Sequence, residues 1–238
     1  MPFGTQTQRL LFLLVAIVAS IASPVIFAHD YWIDKDANGF TLHQGHKHSR
    51  HAGDQSLAYD PTIVKEAYCA DARGHHQSTK FQGKPVRITG ECSNVAFDIT
   101  TGYWTKTPWD TFNQPRSEVK GAIASWLSEE TVTRVQQWRA NAQPAPIKGL
   151  QLVLADDPGR LQPGEKFTIR AFVDGKPQPA VAVAYDGETR GTTDAEGRIN
   201  LRSRHGSMQI VSASLETPLA DGKADTLLRG ATLNFVLP

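Results

Sequence analysis

From Gly149 to Pro238 the chain is written in short apolar runs separated by turn residues: LQLVLA, KFTIRAFVDGKP, AVAVAYDGETRGTTDAEGRINLRSRHG, QIVSASLE and ATLNFVLP. The interruptions are DG, DAEG and HG, which supply the backbone angles of tight turns. Between them the runs are β-branched and too short for helices. Such a rhythm leaves little choice but antiparallel strands packed as two layers, an immunoglobulin-like or transthyretin-like sandwich over residues 149–238. Sandwiches of this kind host many functions, so function must be sought in particular residues.

The first half repeats the rhythm less cleanly. DYWID and KDANGFTLHQG flank Asn38-Gly39, a strong hairpin signal, and TKFQG, KPVRITG and NVAFDITTGYW add further strand-like runs. We therefore expect a mostly β protein with an antiparallel β-sandwich-like domain over residues 29–142. A short helical segment is expected within it: Ser128 followed by Glu129, Glu130, Val132, Val135 and Trp138 reads as one short capped helix. The preceding SEVKGAIASW, residues 117–126, fits a helix with Val119, Ile123, Trp126 and Leu127 on one stripe, and equally a strand with Val119, Gly121, Ile123 and Ser125 on one face. NAQPAPIKG, with two prolines and no periodicity, is a linker to the second sandwich.

Residues 1–28 carry one basic residue, Arg9, an apolar run from Leu10 to about Ala22, then Pro24 and a small residue at Ala28. This is a secretory leader with cleavage between Ala28 and His29, the rival cut falling after Ala22. The run is interrupted by Ser20, Ser23 and Pro24, short of the roughly 20 apolar residues of a membrane span. The expected location is the periplasm. Without Arg9 the chain keeps 24 basic residues against 24 acidic ones, so charge points to neither nucleic acid nor an anionic membrane. The two cysteines, Cys69 and Cys92, are expected to pair in an oxidising compartment, stabilising the fold by about 3 kcal/mol.

Four of the eight histidines stand in HQGHKHSRH, residues 43–51. His46 and His48 are two apart and share a strand face. His51 joins them if SRHAGD turns back. Neutral imidazoles at this density suit nickel, cobalt, copper or zinc. His29, if exposed by cleavage, adds an α-amine of pKa about 8 beside its own ring, and the pair can chelate one ion. Counting back from an Asn38-Gly39 turn, with Ala37 opposite Phe40, sets His29 alongside His48. The expected ligands are thus His29, His46, His48 and His51. His75 and His76 read as a solvated hairpin tip, His205 as a structural turn residue, and Trp32, Tyr103, Trp104 and Trp109 as core or pocket lining.

No nucleophile elbow, phosphate loop, HExxH helix or paired-carboxylate signature is present. AHDYWI, GHKHSRHAG, YDP, GYWTKTP, SEVKGAIASWLS, LQPGEKF, DGKP and TDAEGRINLRSRHG, in that order, resemble a family of exported bacterial proteins assigned to the periplasmic component of a cobalt/nickel transport system. The resemblance covers nearly all of the chain after the leader. It implies a non-enzymatic, periplasmic metal-binding role, a β-rich body ending in an immunoglobulin-like sandwich, and a strand for SEVKGAIASW. Its AHD and GH.H motifs fall on Ala28 to Asp30 and on Gly45 to His48. The expected function is capture of nickel or cobalt and delivery to a membrane uptake transporter. Two rival classes are a copper-dependent oxidase built on an N-terminal histidine chelate, and a structural or carbohydrate-binding sandwich whose histidines decorate a loop.

Overall fold

The backbone of this chain is mostly β, as expected. The computed structural model describes residues 30–47 and 55–238. The leader read over residues 1–28 and the candidate ligands His29, His48 and His51 lie outside the described residues.

The first half contributes β1 (Asp30–Asp36), β2 (Gly39–His46), β3 (Gln55–Leu57), β4 (Val64–Ala70), β5 (His76–Ser78), β6 (Arg87–Thr89), β7 (Asn94–Lys106), β8 (Thr111–Phe112) and β9 (Ala124–Val135). The second contributes β10 (Leu150–Leu154), β11 (Lys166–Val173), β12 (Lys176–Pro177), β13 (Ala182–Tyr185), β14 (Glu188–Thr192), β15 (Arg198–Arg202), β16 (Ser207–Pro218) and β17 (Thr226–Leu237). Helical structure among the described residues is confined to three single 3₁₀ turns, at Pro61–Ile63, Arg116–Glu118 and Pro158–Arg160.

A nine-stranded sheet in the order β14-β13-β16-β17-β9-β7-β4-β5, with β8 beside β7, runs through both halves. All of its contacts are antiparallel except the seam, where β17 and β9 run parallel from Thr226↔Trp126 to Asn234↔Arg134. Two four-stranded covers lie on opposite faces. In one, β1 pairs with one edge of β2 while β3 and β6 share the other edge. It packs Tyr31, Ile33, Phe40 and Leu42 on Val95, Phe97, Ile99 and Val132. In the other, β10 and β15 flank β11, and Leu152, Phe167 and Ile169 pack on Val211, Leu233 and Phe235. Cys69 and Cys92 form the expected disulfide, with their Cα atoms 5.3 Å apart.

The helix expected from Ser128 to Trp138 is absent. Val132, Val135 and Trp138 fit a helical stripe, but Thr131, Val132, Thr133 and Val135 are β-branched and lose side-chain freedom in a helix. As strand β9 this segment pairs with β7 on one edge and β17 on the other, so its ladder is satisfied on both sides. Of SEVKGAIASW, Ser117 and Glu118 belong to a 3₁₀ turn and Ala124 opens β9.

The first hairpin also departs from expectation. Asp36 Oδ1 accepts the backbone N–H of Asn38 at 2.7 Å, so the turn falls on Ala37 and Asn38, and Gly39 already pairs with Asp36. Gly39 is needed for a different reason. A Cβ there would lie 2.1 Å from the carbonyl oxygen of Ile88, so only glycine lets β6 approach. The ladder then ends with Asp30 opposite Gly45, two residues out of step with the count from an Asn38-Gly39 turn. Because the change is even, each side chain keeps its face.

Candidate functional site

Two hairpin faces follow from strand alternation. Tyr31, Ile33, Phe40, Leu42, Gln44 and His46 point toward the shared sheet; Asp30, Trp32, Asp34, His43 and Gly45 point away. The hairpin is fixed to the sheet through its backbone. Asn234 accepts from the N–H of Ile33 at 3.0 Å and donates to its carbonyl at 2.9 Å, while Arg134 donates to the same carbonyl at 2.9 Å. These bonds satisfy the free edge of β1, which a buried strand requires. They also set the open end of the hairpin over β9.

At that end, His46 is half-buried and closes β2. Gly45 beside it is squeezed against β3: a Cβ would fall 2.0 Å from the carbonyl oxygen of Gln55. Of the four predicted ligands, His46 alone is described. Among the described residues no three His, Cys, Asp or Glu side chains converge as a metal-holding group.

Facing the start of β1 is Glu130. Thr232 Oγ1 donates to its Oε1 at 3.0 Å. Burial pushes its carboxyl up to about 8, against the pull of the Thr232 hydrogen bond and with a further push from the charge of Asp30. Tyr31 is raised far above the ordinary phenol range by burial, then by the charge of Glu130 and by Tyr59. Burial lowers Arg134, partly offset by Asp34. Nothing local in the sequence signals Glu130, which reads there as part of a helix cap.

On the outward face, His43 stacks on Trp32 with ring centres 5.3 Å apart and planes at 12°. Its Nε2 lies 3.5 Å from Asp34 Oδ2, and its Nδ1 lies 3.3 Å from Ser56 Oγ. Asp34 also accepts the indole N–H of Trp32 at 3.1 Å. Burial lowers the His43 pKa, Asp34 opposes it, and Lys47 lowers it further. His43 opens onto a cavity of about 440 Å³ with Tyr59 and Lys84. Sequence reasoning passed over His43, although strand parity separates it from His46.

The remaining histidines divide. His75 is exposed, 3.4 Å from Asp71, in the turn between β4 and β5. His76 is half-buried, and burial lowers its pKa, so it is less solvated than a hairpin tip implies. His205 is held by Asp186 at 3.1 Å and by Gln209, a structural role as expected. Trp32 is buried, whereas Trp109 is 89% exposed and belongs to no core.

No protein-family model matches the chain, and no curated protein matches it either.

Proposed function

We propose that this protein binds a divalent transition metal ion, nickel or cobalt in the cell, at the open end of the β1–β2 hairpin, and hands it to a membrane uptake system. The observation that supports the reading is the pair Asp30↔Gly45, which brings the start of β1 beside the end of β2, the strand that His46 closes. The ligands of this reading are His29, His46, His48 and His51, of which His46 alone belongs to the described residues. Imidazole and amine donors suit nickel, cobalt, copper and zinc alike, and the resemblance to cobalt/nickel uptake components supports the first two. Export to the periplasm, with the leader removed at Ala28, belongs to the same reading.

The test is calorimetric titration of the exported, processed protein with nickel, alongside His29→Ala, His46→Ala, His48→Ala and the doubles. Each single variant should lose affinity sharply and each double little more, since ligands sharing one ion are not additive. His75→Ala should bind as wild type. Binding should weaken toward pH 5 as protons compete for the lone pairs. Unchanged affinity in all three single variants would refute the reading.

A further inference from the structure

Two edge strands of the second half, β14 of the nine-stranded sheet and β15 of the second cover, bring arginines together. An open cavity of about 290 Å³ is lined by Arg190 of β14, by Asn200, Leu201 and Arg202 of β15, and by Ser203 and Arg204 just after it. Arg190 Nη2 and Arg204 Nη2 donate to the same oxygen, Glu188 Oε2, at 2.7 and 2.6 Å. Arg202 donates to the carbonyl of Gly164 and has no carboxylate partner among the described residues. Asp186, the other acid acting on Arg204, is held by His205 at 3.1 Å. Asn200 gives its Oδ1 to the Thr168 hydroxyl at 2.9 Å, which keeps its amide N–H groups as donors.

The strand ladder beside the cavity shows the same excess of positive charge. Because Phe167, Ile169 and Leu201 point into the core, the residues alternating with them share the outer face of the cover. The pairs on that face are Lys166↔Arg202, Thr168↔Asn200 and Arg170↔Arg198, so two of the three set cation against cation. Like charges directly opposite one another destabilise a sheet. Arg198 is relieved by Asp194 and Glu196, and Arg170 lies over the Phe172 ring. Lys166 and Arg202, at the cavity end of the ladder, have no such relief from a described carboxylate.

We infer that this cavity binds a phosphate group, free or carried on a lipid headgroup, through Arg190, Arg202 and Arg204. A guanidinium offers oxyanions a planar fork of donors and stays charged at any working pH. A carboxylate is satisfied by one such fork. Three forks arriving from two strands and the segment after them suit a tetrahedral group, whose oxygens point in several directions. A phosphate monoester also brings a charge of about −1.5 to −2 at neutral pH to meet the excess. The site belongs to the second half and does not rest on the metal reading.

The experiment is calorimetric titration of the exported protein with inorganic phosphate and with acetate at constant ionic strength, as wild type, Arg202→Gln and Arg160→Gln. Beside it runs co-sedimentation with phosphatidylcholine vesicles with and without phosphatidic acid. Arg202 holds no carboxylate, so Arg202→Gln should melt no lower than wild type. Wild type should prefer phosphate to acetate by about tenfold, and Arg202→Gln should lose about tenfold for phosphate, the worth of one charged hydrogen bond. Arg160→Gln, at an arginine 87% exposed and paired with Asp157, should bind as wild type. If Arg202→Gln does melt lower, Arg190→Lys, which keeps the charge beside Glu188 and removes the fork, should show the same loss. Retention on phosphatidic acid vesicles that is lost in Arg202→Gln, with no binding of free phosphate, places the group on a lipid; the converse places it on a soluble ligand. Equal affinity for acetate and phosphate, equal losses in Arg160→Gln and Arg202→Gln, or a wild type that takes up neither probe overturns the inference.

Discussion

Neighbouring residues of β17 look into two different interiors. Leu233 and Phe235 turn to the second cover and meet Phe167 and Leu152; Thr232 and Asn234 turn to the first and meet Glu130 and the backbone of Ile33. The second interior is closed mainly by apolar area, with Phe167 edge-on to both Tyr185 and Phe235, and with fewer polar ties, such as Thr131 and Trp138 donating to the carbonyls of Leu150 and Leu154. At the seam the first interior is closed by hydrogen bonds instead. Burial of apolar surface is non-directional and stabilises whatever packs well. Paired polar groups must meet specific atoms, so they fix where an element sits. The second half is therefore built for stability. The first half spends polar groups to hold a hairpin in one place, which suits a site whose ligands come from that hairpin.

The largest effect expected from this contrast is at Phe235. It is fully buried, and its ring centre lies 5.4 Å from that of Phe167. Phe235→Ala should cost about 4 kcal/mol. Because β17 also pairs with β9, both halves should melt together, in one transition seen by circular dichroism and by tryptophan fluorescence. Two separated transitions would break the comparison, since the halves would then not depend on one sheet.

Next comes Asn234, fully buried one residue earlier on the opposite face. Asn234→Leu adds apolar area yet strands the N–H of Ile33 and leaves its carbonyl with the Arg134 hydrogen bond alone. Leaving buried backbone groups unpaired costs about 1 to 3 kcal/mol. We expect a loss of about 2 kcal/mol in denaturant melts, with hydrogen exchange quickened at β1 and unchanged at β11. A variant more stable than wild type would show that the first interior is governed by area after all.

This contrast also explains what could be read from sequence. The strands of the second half were legible because their instructions are local: DG and DAEG turns, alternation between them, and no competing helical period. The disulfide was legible from the two cysteines and the expectation of export. β9 was not, because what makes it a strand is pairing with β7 and β17, which lie far away in sequence, while Val132, Val135 and Trp138 happen to sit at helical spacing. The hairpin was legible and its register was not: Asp36 captures the turn through its own side chain and Gly39 serves the approach of β6. For the same reason the His46 cluster is conspicuous in the sequence and the surroundings of Glu130 are not: they depend on Thr232 reaching it from β17 and on the first cover packing over β9.

The smallest effect concerns Asp98, on the opposite face of the same strands from Glu130. Burial raises its carboxyl to about 6, and the charges of Glu129 and Glu66 on the neighbouring strands raise it further against a backbone hydrogen bond and Lys65. A carboxyl raised in the folded state keeps its proton at pH values where the unfolded chain has released one. Between pH 3.8 and about 6 the unfolded state therefore binds fewer protons, and this group's contribution to stability falls as pH rises through that window, then stays flat above it. Asp98→Asn should remove that fall. Other carboxylates, such as Asp194 and Asp221, are lowered by hydrogen bonds and act in the reverse sense, so the quantity to follow is the difference between variant and wild type. That difference should be near zero at pH 4 and should favour the variant by no more than about 1 kcal/mol at pH 7, because Asp98 is only half-buried and solvent screens its neighbours. Nickel binding should be unaffected, since Asp98 faces away from the first hairpin. A variant that is less stable at pH 7 would mean that the Glu66, Asp98 and Glu129 face is held by interactions stronger than its own repulsion.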